Sequence, residues 1–335
     1  MTETNELRIA VIGAGPAGVY SSDIFLRQLK KLGEGLGLGT AARIDLFEKL
    51  PVPFGLVRYG VAPDHPSIKF IASALEKTLD NPDIHLYCDV EFGKDVTLDE
   101  LLDRYDAVLF ATGAVEDKPL GLPGADLDGV YGAAKFVEWY DGYPTGAREW
   151  PLEAEEVAVI GGGNVAMDAA RSALRLGAET VYIVYRRGME ELPARHEEVE
   201  HAIEEGIVFK TLNNPVKING DEKGYVSSMT CVEMELGEPD ASGRRRPIEK
   251  VGSEHDLPVD CVIMSLGTTP NPLIKNTTPG LEVNRKGGIV VNEAGLTSHQ
   301  NVYAGGDAVT GAATVILAMG AGKLGAKSID EALSK

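Results

Sequence analysis

The sequence predicts an α/β protein with two Rossmann-like domains, the second inserted into the first. Three observations support this class. Apolar runs of strand length alternate with helical patterns along the 335 residues, which is typical of parallel sheets covered by helices. A glycine-rich motif follows an apolar run at residues 13–18, and a second one occurs halfway along, at residues 161–166. The predicted domains are 1–118 with 269–335, and the inserted 119–268.

Local signals place the elements of the outer domain. The apolar run Leu7–Ile12 ends at a glycine and predicts a buried strand. A helix is predicted over 16–31, followed by a glycine-rich loop at 33–39. Thr97 opens a Thr-x-x-Glu capping box, the signature of a helix start. Ala107–Phe110 predicts another buried strand.

The inserted domain repeats this organisation. Residues 157–160, 165–176 and 181–184 predict a strand, a helix and a strand, which together form a second βαβ unit. The glycine-rich segment 237–243 is typical of a turn between two extended segments. Residues 259–265 predict a further buried strand.

Composition limits the partners and the compartment. The net charge of −19 disfavours nucleic acid as a partner. The polar start of the sequence lacks a signal-peptide pattern, and no apolar run is long enough to predict a membrane span. Cys88, Cys231 and Cys261 lie far apart, so neither a redox disulfide nor a metal site is predicted. We therefore expect a cytoplasmic protein.

The first glycine-rich motif predicts a dinucleotide site. Its first glycine makes a tight turn, its second lets the backbone approach a pyrophosphate, and its third lets the helix pack on the strand. Glu48 ends the next strand, where a carboxylate accepts hydrogen bonds from ribose hydroxyls. The predicted residues of this site are Gly13, Gly15, Pro16, Ala17, Gly18, Glu48, Ala111, Thr112 and Gly113.

The second motif predicts a site for a different dinucleotide. It contains Gly161, Gly163, Asn164 and Val165, and an alanine replaces the third glycine, as the pattern allows. Arg186 and Arg187 end its second strand. Two guanidinium groups there suit a ribose 2′-phosphate, so NADP(H) is favoured over NAD(H). The alternative is a solvated pair, or a salt bridge to Glu190 or Glu191.

Two further segments predict contacts with a flavin. Residues 51–66 form a loop that is too apolar to lie free in solvent, which favours a cover over a ligand. Asp307, after Gly306, suits a ribityl hydroxyl, and the alternative is a simple helix cap. A last helix, predicted from about residue 313, places Thr314 and Val315 at its positive end, beside the flavin pyrimidine.

Two titratable residues lie near the predicted sites. His65, inside the apolar loop, is a candidate proton relay, and a hydrogen bond to the backbone is an equal alternative. Asp168 lies in the helix of the second motif, where a first-turn carboxylate stabilises the helix dipole.

Several segments resemble known families. Residues 50–66 and 163–168 are similar to adrenodoxin reductase and the bacterial ferredoxin–NADP⁺ reductases of that type. Residues 238–246 and 303–307 resemble the small subunit of glutamate synthase. The resemblance implies an FAD- and NADPH-dependent reductase of the glutathione-reductase fold. It also implies specific contacts: Leu56, Val57 and His65 with the flavin, and Asn164, Val165, Arg186, Arg187 and Glu198 with NADPH. It further implies that His65 and Asp168 are catalytic residues, which take part in proton movement near the flavin.

These observations predict a flavoprotein that moves electrons between NADPH and ferredoxin or another iron–sulfur protein, by hydride transfer to flavin N5 and then by single-electron steps. Gly306-Asp307 departs from the Gly-Trp of adrenodoxin reductases. The sequence lacks the cysteine-rich domain of the glutamate synthase small subunit, so we expect electrons to leave from the flavin or through a partner's cluster. The alternatives are an electron-input subunit of a larger complex and a nucleotide-sensing module without redox activity.

Overall fold

The structure, a computed structural model, describes residues 6–36, 41–144, 154–241 and 243–311. A 3₁₀ turn covers Met189–Glu191. The other elements, in chain order, are β1 (Leu7–Ile12), α1 (Pro16–Leu36), β2 (Ala42–Phe47), α2 (Leu56–Tyr59), α3 (Pro66–Lys69), α4 (Ile71–Leu79), β3 (Ile84–Tyr87), α5 (Leu98–Leu102), β4 (Ala107–Phe110), β5 (Glu116–Asp117), β6 (Val130–Gly132), α6 (Ala133–Tyr140), β7 (Glu156–Ile160), α7 (Asn164–Arg175), β8 (Thr180–Tyr185), α8 (His196–Glu204), β9 (Val208–Thr211), β10 (Asn213–Gly220), β11 (Val226–Pro239), β12 (Arg245–Glu249), β13 (His255–Pro258), β14 (Cys261–Met264), β15 (Thr268–Thr269), α9 (Pro272–Thr277), β16 (Val302–Ala304) and α10 (Asp307–Thr310).

The chain divides into two units. The first comprises Met1–Glu116 and Thr268–Lys335, and the second is Asp117–Gly267. The first unit contains a parallel five-stranded sheet in the order β16-β4-β1-β2-β3. One face packs on α1 and α4, and the other packs on α5 and α9. β1, which precedes the first glycine-rich motif, therefore lies at the centre of the sheet.

The second unit repeats this arrangement. Its parallel sheet has the order β6-β14-β7-β8-β9, so the strand that precedes the second motif, β7, is again central and β8 is its neighbour. Helices α6, α7 and α8 cover one face with a core that includes Met167 and Ile183. The predicted fold class, two Rossmann-like α/β domains, is confirmed.

An antiparallel sheet covers the other face of the second sheet. β11 pairs with β10, β12 and β13. Ile218, Met229 and Cys231 of this sheet pack on Ala158 and Val184 of the parallel sheet. The sequence indicated the turn between β11 and β12, but the four-stranded sheet itself was not predicted.

One predicted helix differs in extent. α1 continues to Leu36, five residues beyond its predicted end, although glycine costs a helix interior about 1 kcal/mol per residue. After residue 66 the chain forms two short helices, α3 and α4, with Phe70 between them. The predicted capping box is confirmed, because the Thr97 hydroxyl accepts from the Glu100 N–H and the Glu100 carboxylate accepts from the Thr97 N–H.

Within the described residues, no helix has the length and apolar character to cross a membrane.

Candidate functional site

The first glycine-rich motif forms a tight turn between β1 and α1. Gly13 has φ of +105°, and a Cβ atom there would lie 2.5 Å from the Ala111 carbonyl oxygen. A Cβ atom on Gly18 would lie 1.9 Å from the Gly13 carbonyl oxygen, so only glycine allows the helix to approach the turn this closely. The position beside Gly15 is open, with no atom within 4 Å of a built Cβ. This space fits a pyrophosphate at the start of α1.

The Glu48 side chain is hydrogen-bonded to the backbone of the same turn. Its carboxylate accepts from the Ala14 N–H at 2.9 Å and from the Leu50 N–H at 3.1 Å. The side chain is buried, and this burial raises the pKa of the Glu48 carboxyl above its usual value, against the opposing effect of the two backbone hydrogen bonds. Each carboxylate oxygen retains acceptor capacity for a ribose hydroxyl.

The apolar loop packs directly on this motif. The Phe54 N–H donates to the Ala14 carbonyl oxygen at 2.8 Å. Phe54 is buried and has φ of +88°. A Cβ atom added to the next residue, Gly55, would lie 3.6 Å from the Gly15 Cα. Val57 is buried and Leu56 half-buried in α2. The loop therefore covers the motif, in agreement with its apolar sequence.

Two more predicted segments meet the motif at the same sheet edge. The Ala111 N–H donates to Ile12 O, which places Ala111, Thr112 and Gly113 beside the turn. The Gly305 N–H donates to Phe110 O, which brings Gly306 and Asp307 to the neighbouring strand end. Asp307 is buried in the first turn of α10. Thr314, Val315 and the helix predicted from residue 313 lie outside the described residues.

The two candidate catalytic residues lie in different units. His65 precedes α3, is half-buried, and has its Nε2 3.9 Å from Asp64 Oδ1. Asp168 is half-buried in α7.

The second motif forms an equivalent turn between β7 and α7. Gly161 has φ of +144°, and a Cβ atom there would lie 2.4 Å from the Ser265 carbonyl oxygen. The position beside Gly163 is open within 4 Å, as at Gly15. Asn164 and Val165 are exposed in the first turn of α7. This turn also leaves space for a pyrophosphate at a helix N-terminus.

The two predicted arginines have different environments. Arg186 is exposed, and no ion pair or hydrogen bond of its side chain is found among the described residues. Arg187 is buried, with its Nε donating to the Arg245 carbonyl oxygen at 2.8 Å and its Nη2 donating to the Asp240 carboxylate. The sequence analysis assigned the same role to both residues, but the structure shows that they differ in burial and in partners.

Arg195 is a candidate site residue that the sequence reasoning missed. Its N–H donates to the Asn164 side-chain oxygen at 2.8 Å, and its Nη2 donates to Glu198 at 2.8 Å. Glu198 is buried and also contacts Arg171 at 3.5 Å. Its carboxylate therefore already has two cationic partners. Arg195 lies 31 positions from Asn164, so no local pattern indicated the contact.

Each unit thus presents a glycine turn, a helix N-terminus and a charged residue at the carboxyl edge of a parallel sheet. This edge is where open α/β sheets bind ligands. The open positions at Gly15 and Gly163 and the acceptors of Glu48 fit dinucleotides. When bound, FAD supplies the exchange of a hydride for single electrons.

Comparison with known proteins identifies the family. The pyridine nucleotide-disulphide oxidoreductase model matches residues 7–322, and the chain belongs to this family. The glutamate synthase (NADPH) small chain of Escherichia coli strain K12 is 35% identical over 332 residues, which cover 96% of this chain and 68% of the relative. The mitochondrial NADPH:adrenodoxin oxidoreductase of Drosophila melanogaster is 45% identical over 168 residues, which cover 50% of this chain and 34% of the relative.

A comparison with solved structures also finds an oxidoreductase of similar fold. Mycobacterium tuberculosis FprA in complex with NADPH matches with a TM-score of 0.87 and 27% identity, covering 98% of this chain and 85% of that one. The chain spans about half the length of several curated relatives, 48% and 44% in two of them. Both predicted resemblances, the oxidoreductase class, and FAD and NADP(H) as the cofactors are confirmed at the level of the family.

Proposed function

We propose that this chain moves electrons between NADPH and an iron–sulfur protein such as ferredoxin through FAD. FAD is assigned to the first domain, 1–118 with 269–335, and NADPH to the inserted domain, 119–268. One observation carries the assignment: the two equivalent glycine turns are followed by residues of opposite charge, the buried Glu48 in the first unit and the exposed Arg186 in the second.

The chain's own residues provide binding and orientation. Glu48 accepts hydrogen bonds from ribose hydroxyls, and Asp307 accepts a hydrogen bond from a hydroxyl of the ribityl chain. The turn at Gly15 and the loop at Phe54 enclose the flavin nucleotide. His65 and Asp168 are proposed to hold or move protons near the flavin. A cytoplasmic location remains a prediction.

The electron acceptor is proposed to be external to this chain. All three cysteines are free thiols, and Cys231 and Cys261 are buried. Burial raises the pKa of the Cys231 thiol to about 11 and that of Cys261 to about 12. Because the thiolate is the reactive form, these two residues are poor candidates for dithiol chemistry. An iron–sulfur partner is therefore favoured over an internal disulfide.

A reduction assay tests the proposal. The purified, flavin-loaded protein is mixed anaerobically with NADPH or with NADH while the flavin absorbance is followed, and the NADPH-reduced protein is then mixed rapidly with a ferredoxin. We expect faster bleaching by NADPH and reduction of the ferredoxin. A flavin that NADPH does not bleach would refute the proposal, and a protein that binds no flavin would favour a nucleotide-sensing module.

A second candidate is an electron-input subunit of a larger complex. The similarity to a glutamate synthase small chain and the greater length of the curated relatives favour this role. It predicts co-purification with a larger redox subunit, together with bleaching by NADPH but slow transfer to free ferredoxin. Rapid transfer to free ferredoxin by the isolated chain would argue against it.

A further inference from the structure

We propose that Arg186 alone recognises the 2′-phosphate of NADPH, whereas Arg187 is a structural tie to the turn between β11 and β12. This inference rests on the proposed NADPH site of the second unit. It divides two neighbouring arginines, which spacing treats as a pair, into one residue for specificity and one for stability.

The contacts of Arg187 support the structural role. Its Nε donates to the Arg245 carbonyl oxygen at 2.8 Å, and its Nη2 donates to the Asp240 carboxylate. These two acceptors flank the turn, which is closed by a hydrogen bond from the Asp240 N–H to Arg244 O at 2.8 Å. The Arg187 side chain is 8% exposed, so its charge is neutralised inside the protein.

A second arginine, Arg245, makes the reciprocal contact: its side chain reaches from β12 to the segment that follows β8. The guanidinium of Arg245, the first residue of β12, contacts the buried carboxylate of Glu191 through Nε and the exposed carboxylate of Glu190 through Nη2 at 3.1 Å. The Glu191 backbone is itself fixed, because its carbonyl oxygen accepts from the Tyr185 hydroxyl at 2.9 Å. The turn is therefore joined to the end of β8 by two reciprocal arginine–carboxylate contacts.

This arrangement disfavours phosphate binding by Arg187. A phosphate that approached the Arg187 guanidinium would also approach the Asp240 carboxylate, and the two negative charges would repel each other. Displacing Asp240 would break its ion pair with Arg187 at a half-buried position. Arg186 has neither obstacle, because it is exposed and lacks an ion pair among the described residues.

The test compares ligands that differ only in the 2′-phosphate. Binding of adenosine 2′,5′-bisphosphate and of adenosine 5′-monophosphate to the flavin-loaded protein is measured by calorimetry, with the melting temperature in parallel. The variants are Arg186→Gln, Arg187→Gln and Asp240→Asn. Lys217→Gln is the matched control, because it removes an exposed positive charge from β10 of the same unit.

Arg186→Gln is expected to weaken the bisphosphate by about tenfold or more, since a lost hydrogen bond to a charged group has that magnitude, and to leave the monophosphate unchanged. Arg187→Gln and Asp240→Asn are expected to lower the melting temperature and to keep the wild-type ratio of the two affinities. Lys217→Gln should change neither.

Two outcomes would overturn the inference: a ratio in Arg187→Gln that falls as far as in Arg186→Gln, or an unchanged ratio in Arg186→Gln. If Arg187→Gln does not fold, Arg187→Lys takes its place, since lysine keeps a positive charge at the turn but lacks the forked donors of a guanidinium. A ratio in Arg187→Lys that falls as far as in Arg186→Gln would then overturn the inference. Flavin bleaching by NADPH, measured separately, tests the proposed function independently of this division.

Discussion

Substitution of Glu48 by glutamine tests the flavin site at its most buried polar group. The wild-type carboxylate accepts two backbone N–H groups, from Ala14 at 2.9 Å and from Leu50 at 3.1 Å. Glutamine has one oxygen, so it can accept from only one of them, and its NH₂ group must face the other donor. The change removes the charge while it keeps the shape of the side chain.

The magnitude follows from these contacts. A buried donor without an acceptor costs about 1–3 kcal/mol, and a lost hydrogen bond from a ribose hydroxyl to a charged acceptor costs about 1.5–3 kcal/mol. The ribose contact alone corresponds to a loss of flavin affinity of roughly tenfold to a hundredfold. The penalty from the unpaired N–H group lowers the stability of the flavin-free protein as well.

The pH dependence has a definite sign. Because burial raises the pKa of Glu48, the flavin-free fold favours the protonated carboxyl. The contribution of Glu48 to the stability of the flavin-free protein is therefore present below the usual pKa of 4.5, and it is lost as pH rises through the raised pKa. Ribose hydroxyls donate to the ionised form, so flavin affinity should rise with pH over the same range. In Glu48→Gln this rise should be absent.

Reconstitution of the flavin-free protein, followed by quenching of flavin fluorescence at several pH values, measures both effects. Glu76→Gln is the control, since Glu76 is an exposed glutamate of α4 in the same unit. Wild-type flavin affinity and wild-type pH dependence in Glu48→Gln would refute the assignment of this carboxylate to the ribose.

Three further predictions follow from other sites. Gly15→Val should lose flavin but keep the melting temperature of the flavin-free protein, because a Cβ there meets no protein atom, whereas flavin-free Gly18→Ala should unfold more easily, because its Cβ would lie 1.9 Å from a backbone oxygen; equal melting temperatures of the two flavin-free variants would contradict this. Thr97→Ala should lower the free energy of unfolding by about 1 kcal/mol in chemical denaturation, with unchanged NADPH kinetics. For Glu205, burial raises the pKa, but hydrogen bonds led by that of Arg175 outweigh it and lower the pKa below 4.5. Its stabilisation is therefore present above pH 4.5 and lost in acid, so the stability deficit of Glu205→Gln should shrink as pH falls, and a constant deficit would refute the assignment.

The elements that were predicted well depend on short-range signals. β1 and β4 have the predicted bounds because an apolar run that ends at a tight turn is visible within a few residues. The capping box at Thr97 is likewise contained in four residues. The glycine turns could be located because their shape excludes a Cβ atom, as the contact between a built Cβ of Gly13 and the Ala111 oxygen illustrates.

The features that were missed depend on contacts between distant residues. Arg187 and Asp240 are 53 positions apart, and the nearby carboxylates that the sequence offered as partners, those of Glu190 and Glu191, contact Arg245 instead. The contact between Arg195 and Asn164 spans 31 positions. The antiparallel sheet was missed for a related reason, since β10 contains Pro215 and exposed polar residues, and its pairing with β11 creates the buried face.

The charged residues that follow the two glycine turns differ in exposure as well as in sign. Glu48 is buried, and the loop beside it is joined to the turn by the hydrogen bond from Phe54 to Ala14. A ligand held there would lie beneath this loop. Arg186 is exposed, and release of a phosphate from it breaks no contact between described residues. This asymmetry supports the proposed assignment, because a flavin remains bound through many turnovers, whereas a nicotinamide nucleotide must bind and leave in each one.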